Sequence, residues 1–174
     1  NPAATVLVDK FPDDGVMQQI AAEMNLSETA FAREIEPNNF HLRWFTPAAE
    51  VPLCGHATLA IAHYLRELAV IDTSATLRFQ TLSGELAICF EGDRIVMDFP
   101  AVYPKPCDRT DLSLLEQIFA AYTYECLGIA DNVTVVLANE SAVANFAPDL
   151  AQITQLSVGR LSITAIADPD NPYD

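Results

Sequence analysis

The run Cys54-Gly55-His56-Ala57-Thr58-Leu59-Ala60-Ile61-Ala62-His63-Tyr64-Leu65-Arg66-Glu67-Leu68 decides the fold. Apolar residues fill successive turns, and charge is withheld until Arg66-Glu67. A helix with so little polar face belongs inside protein, so a central helix is predicted over about 54–68. Its start has chemical potential of its own. Thr46-Pro47 and Pro52 keep the preceding chain extended, and Gly55 lets another group approach the backbone closely. The first N–H groups of a helix lack intrahelical partners and carry the positive end of its dipole, which suits a carboxylate. His56 is placed to hydrogen-bond such a ligand, and the helix end favours a neutral imidazole. On spacing alone, a tight glycine turn with a structural histidine accounts for the same residues.

Working outward, residues 4–8 form a β-branched strand, followed by a helix capped by Asp13 or Asp14 and running to about Asn25. Strands over about 28–35 and 40–46 make a hairpin across Pro37-Asn38-Asn39. Beyond the central helix, strands near 75–81, 84–90 and 93–99 meet at Ser83-Gly84 and Gly92-Asp93 as an antiparallel meander. Asp111 then starts a helix over 112–119, a strand covers 132–138, helical turns cover 140–155, and a strand covers about 158–167. The class is α+β, an antiparallel sheet wrapped around an apolar helix.

The chain also resembles itself. Ser27-Glu28-Thr29-Ala30-Phe31 and its continuation to Pro37 precede Gly159-Arg160-Leu161-Ser162-Ile163 and its continuation to Pro169 by 132 positions. Upstream, Thr5-Val6-Leu7-Val8 matches Thr134-Val135-Val136-Leu137, and each is followed by a Pro-Asp step and a helix. This reads as an internal duplication: a first lobe over 1–110, and the start of a second over 111–174. A copy of the Cys54 segment would fall beyond Asp174, so the second copy is expected to be incomplete.

Composition narrows the partners. With 24 acidic and 9 basic residues the net charge is −15, which repels nucleic acid and anionic lipid surfaces. No apolar run approaches the ~20 residues of a membrane span. Cys54, Cys89, Cys107 and Cys126 show no CxxC pair or metal-ligand spacing, so neither zinc nor a disulfide framework is expected, and a reducing cytoplasm is. An unpaired second lobe would expose apolar surface, so association with a second copy, as a dimer, is the expected assembly.

Three blocks in order are similar to the signature of the phenazine biosynthesis-like (PhzF) family: Met24-Asn25-Leu26-Ser27-Glu28-Thr29-Ala30-Phe31, then Leu42-Arg43-Trp44-Phe45-Thr46-Pro47 with Glu50-Val51, then Leu53-Cys54-Gly55-His56-Ala57-Thr58. Asn1-Pro2-Ala3-Ala4, Thr81-Leu82-Ser83-Gly84-Glu85-Leu86 and Met97-Asp98-Phe99-Pro100 match further blocks. Pro52 departs from the family's usual acidic residue, and the family's Glu-Asp-Pro-x-Thr-Gly-Ser block has no counterpart here. The resemblance implies a diaminopimelate epimerase-like fold, two similar lobes each with a sheet around a central helix and the site in the cleft between them.

It also implies a function. Glu28, otherwise an ordinary strand carboxylate, becomes the acid/base of an isomerase that shifts a proton on a small carboxylate-bearing substrate. Such a base would work best with a pKa raised toward neutrality by burial in the cleft. Gly55, His56, Cys54, Ser27 and Ala57 become substrate-binding residues, and no metal or organic cofactor is required. Two other readings stand beside it: a racemase or epimerase with Cys54 as one of two thiol bases, and an inactive piece or a module binding carboxylates or proteins.

Overall fold

The computed structural model describes residues 2–101, 103–130 and 132–171. Asn1, quoted in the Asn1-Pro2-Ala3-Ala4 match, lies outside them. The chain divides into two compact units, Asn1–Pro100 and Ala101–Asp174. The boundary expected after residue 110 therefore moves to 100. Lys105 and Ile129 exchange backbone hydrogen bonds of 2.7 and 2.6 Å, which ties the extended stretch before residue 109 to the second unit.

The first unit runs β1 (Ala3–Leu7), α1 (Asp14–Met24), β2 (Glu28–Glu36), β3 (Asn39–Phe45), β4 (Glu50–Val51), α2 (Gly55–Glu67), β5 (Leu77–Thr81), β6 (Gly84–Glu91) and β7 (Arg94–Asp98). Its seven strands form one sheet in the order β1-β2-β3-β5-β6-β7, with β4 paired to β3. The three hairpins β2-β3, β5-β6 and β6-β7 stand at the predicted turns. Asn38 and Gly92 take φ of 59° and 62°, a left-handed conformation that such turn residues tolerate. The sheet is mixed, however, and not antiparallel throughout. β1 pairs parallel with β2, and β3 parallel with β5. In each case the connection contains a helix, α1 or α2, and a helical crossover is what parallel neighbours need.

Both edges of this sheet reach the same helix, since α2 packs on β1 and β2 and also on β7. The sheet is curled around it. Ala57, Thr58, Ile61, Ala62 and Leu65 are the buried residues of α2, set among Phe40, Leu42, Trp44, Leu77, Phe79, Leu86 and Ile88 of the strands. Burying each large apolar side chain favours the fold by about 1.5–3 kcal/mol. The Thr58 hydroxyl donates to the Cys54 carbonyl at 2.6 Å, so its burial leaves no donor unused. Contrary to the expectation of burial on all sides, Gly55, Leu59, His63 and Glu67 form an open stripe at four-residue spacing. Four-residue spacing keeps these exposed positions on one face of the helix. α1 covers the other side of the sheet with Met17 and Ala21, against Phe31 and Phe45.

The second unit runs α3 (Arg109–Ile118), β8 (Tyr124–Ile129), β9 (Val133–Leu137), α4 (Glu140–Ala144), α5 (Leu150–Ile153) and β10 (Leu161–Thr164). Its sheet has the order β10-β9-β8. Leu115, Phe119, Val133, Val135, Leu137 and Leu156 form its core. Asp108, not Asp111, caps α3 by accepting from the Asp111 N–H at 2.8 Å. Asp111 is instead buried and accepts from both the backbone N–H (2.9 Å) and the hydroxyl (2.7 Å) of Ser157. β8 is an addition to the expected elements, and the predicted helical stretch 140–155 is split before Pro148, with Asp149 capping the second piece. No helix among the described residues is long and apolar enough to cross a membrane.

The duplication has a structural signature. In the first unit Ala4 lies opposite Thr29 and Thr5 opposite Ala30; in the second Val133 lies opposite Leu161 and Thr134 opposite Ser162. These are the pairs that the sequence repeat aligns, and both strand pairs are parallel.

Candidate functional site

Glu28 opens β2 and Cys54 precedes the first turn of α2, and the packing of α2 on β2 brings them together. Glu28 Oε2 lies 2.9 Å from His56 Nε2, with side-chain exposures of 18% and 30%. Both atoms are shielded from solvent, yet neither makes an aligned hydrogen bond, so the contact is a close approach with the carboxylate off the line of the ring N–H. On the other edge of the ring, His56 Nδ1 is 3.5 Å from Cys54 Sγ. The three side chains can each present a ligand-capable atom within 4.8 Å of the others. Glu, Cys and His so grouped are also a donor set that a soft divalent ion such as zinc accepts.

Burial pushes the Cys54 thiol up to about 11, and the Glu28 carboxylate adds to the rise, while the backbone N–H groups of Ala57 and His56 oppose it. A thiol held this way carries its proton at neutral pH, the opposite of the activated thiolate that the thiol-base reading needs. Cys54 is 8% exposed and belongs to the core around α2.

The other expected residues fall into two groups. Gly55 is exposed, and a Cβ built on it would meet nothing within 4 Å, so the space over the start of α2 is open to a ligand. Ala57 is fully buried, and its methyl group faces the core. Its side chain cannot line a binding site, because that face of α2 is packed against the sheet. Ser27 is exposed just before β2, and its hydroxyl makes no hydrogen bond among the described residues. His41 takes a hydrogen bond of 2.9 Å with Arg33, and His63 one of 3.0 Å with Arg66, so neither joins the cluster.

The structure adds a supporting pair that residue spacing alone does not mark, although both residues belong to the family-like segment 42–51. Arg43 and Glu50 form a two-pronged ion pair, with both contacts at 2.7 Å, and Arg43 also reaches Asp14 at 2.8 Å. The hydrogen bonds to Glu50, chiefly, hold the guanidinium above its already high ordinary pKa. Paired this way it fixes β4, and β4 leads the chain into Cys54. The backbone at Pro52 is anchored too, its carbonyl accepting from the Ser83 hydroxyl at 2.8 Å. The signal in the sequence was an arginine and an acid seven positions apart on two strands of a short hairpin, where Glu50 faces Phe45 and Arg43 lies diagonal to it.

A profile of the PhzC-PhzF family, described as phenazine biosynthesis-like protein, matches residues 1–174. The chain belongs to the phenazine biosynthesis-like family. It is 44% identical over 172 residues to an uncharacterized isomerase of Pseudomonas aeruginosa, covering 95% of this chain and 62% of that protein. The crystal structure of a PhzF-family phenazine biosynthesis protein from Enterococcus faecalis superposes with a TM-score of 0.80 at 37% identity, covering 97% of this chain and 64% of the other. A structure described as a predicted epimerase of Pseudomonas aeruginosa shares the fold, with a TM-score of 0.64 at 20% identity over 94% of this chain and 63% of the other. The fold is diaminopimelate epimerase-like, and the chain spans somewhat under two thirds of the length of these relatives.

Proposed function

We propose that this chain supplies the acid/base residue and the carboxylate-binding helix end of an isomerase that shifts a proton on a small carboxylate-bearing substrate without a cofactor. The observation that carries the reading is the pair Glu28 Oε2 and His56 Nε2, which are shielded, 2.9 Å apart and without aligned hydrogen bonds. Buried polar atoms are normally satisfied, and each one left unmade costs about 1–3 kcal/mol. A ligand seated over Gly55 would offer both of them partners. The family membership and the isomerase names of relatives support the same class of reaction.

In this mechanism Glu28 removes a proton from a carbon near the substrate carboxylate and returns it to another carbon, so the enzyme ends each cycle as it began. His56 and the positive end of α2, open over Gly55, hold the carboxylate and stabilise the enolate-like charge that develops. Cys54, kept protonated, sits at the Nδ1 edge of the imidazole as a small buried group.

The test uses the full-length protein in heavy water with a set of small carboxylic acids bearing an acidic C–H, followed by proton NMR. Glu28→Gln is expected to slow exchange of that C–H by about 10²–10⁴-fold, the usual contribution of a positioned acid/base. Cys54→Ser should stay near wild type. Undiminished exchange in Glu28→Gln would sink the proposal, and loss in Cys54→Ser would restore the thiol-base reading.

A further inference from the structure

The four cysteines are scattered in sequence, but the second unit brings two of them together. Cys107 Sγ and Cys126 Sγ are 2.7 Å apart, inside the van der Waals contact of two unbonded sulfurs, and both residues are partly accessible. The backbone holds them there. Lys105 and Ile129 exchange two hydrogen bonds, and a Cβ at Gly128 would collide with the Lys105 carbonyl, so the 103–107 stretch lies directly on β8. The ladder between β8 and β9 shifts register between Cys126 and Gly128, an irregularity at the position of the second thiol. Cys54 is buried and Cys89 exposed in the first unit, and neither has a cysteine partner among the described residues.

We propose that Cys107 and Cys126 form a reversible thiol–disulfide site whose oxidant is a small hydroperoxide. One thiolate attacks a peroxide oxygen, the O–O bond breaks, and that sulfur becomes a sulfenic acid. The second thiol attacks the same sulfur, the S–O bond breaks and the S–S bond closes. Each sulfur is oxidised by one electron, the peroxide takes up both, and with hydrogen peroxide the two thiol protons leave in two waters. Burial first, then the hydrogen bond with Cys126 and the carboxylates of Asp111 and Asp108, push the Cys107 thiol up to about 12. Either sulfur can take the first oxidation, and the other, in contact with it, then resolves it. The crosslink joins positions 19 apart and staples the entry of the second unit to its sheet.

The experiment treats the reduced full-length protein with a small excess of hydrogen peroxide. The expected result is a loss of about 2 Da per chain, a single crosslinked peptide joining Cys107 and Cys126, reversal by dithiothreitol, and a rise of roughly 5–10 °C in the unfolding midpoint. With a sulfenic-acid trap present, Cys107→Ser and Cys126→Ser should each be labelled at the remaining cysteine of the pair. An unchanged mass, or a crosslink that enlists Cys54 or Cys89, overturns the site. Labelling of neither variant overturns the hydroperoxide as the oxidant. Should either variant fail to fold, the wild-type peptide map decides alone.

Discussion

In the first unit Ala4 faces Thr29 across two parallel strands, and in the second Val133 faces Leu161 the same way, yet the residue just ahead of these pairs differs in kind. In the first it is Glu28, in contact with His56. In the second it is Arg160, exposed, contributing its carbonyl to the Val133 N–H at 3.0 Å. The strand pair was copied with its register, but the chemistry was not. Register is held by the apolar pattern of both strands, where one slip would turn every side chain to the wrong face. A charged residue at the strand's entrance carries no such constraint and is free to diverge.

The largest expected contrast follows directly. In the full-length protein Glu28→Gln should cost about 10²–10⁴ in turnover, while Arg160→Gln, at the matching position, should leave it within about twofold, since surface substitutions rarely do more; equal losses in steady-state assays would break the comparison. Next come the two cores. Leu65→Ala removes a fully buried side chain of α2 and should cost about 2–5 kcal/mol, and Leu115→Ala in α3 should fall in the same range, by denaturant titration. A much cheaper Leu115→Ala would show that the smaller core collapses around the gap.

Polar burial distinguishes the units at a smaller scale. Asp111→Ala strands the Ser157 N–H and hydroxyl and is expected to cost about 1.5–3 kcal/mol. Gly55→Ala meets no steric obstacle, so stability should stay within about 1 kcal/mol while binding of a carboxylate ligand weakens several-fold; unchanged binding would place the ligand elsewhere. The smallest effect concerns pH. Since the folded Cys54 thiol is raised from its ordinary 9.0 to about 11, its contribution to stability is intact below pH 9 and declines as pH rises through 11. Alkylation of Cys54 at pH 8 should accordingly lag far behind that of the exposed Cys89.

Much of the fold was legible. The turn residues at 37–39, 83–84 and 92–93 marked strand ends because few other sequences tolerate those backbone angles, and the apolar run at 55–67 could only be a packed helix. β8 was missed because Tyr124-Glu125-Cys126-Leu127-Gly128-Ile129 mixes alternation with a mid-strand glycine, and only its pairing with β9 makes it a strand. Asp108 and Asp111 are both plausible caps three residues apart; which of them faces Ser157 depends on a residue 46 positions away. The open stripe of α2 was hidden for a similar reason, since Gly55, Leu59 and His63 look as buried in sequence as their neighbours.

The sequence by itself determined the class, the central helix, the repeat and the family, because these rest on local periodicity and on motifs read within a few turns of chain. The tertiary structure alone decided which distant side chains share a site. Glu28 and His56 stand 28 positions apart and Cys107 and Cys126 19 apart. Only the burial of α2 against β2, and of the 103–107 stretch against β8, brings each pair within reach, since a contact distance is set by packing across the core and not by separation along the chain.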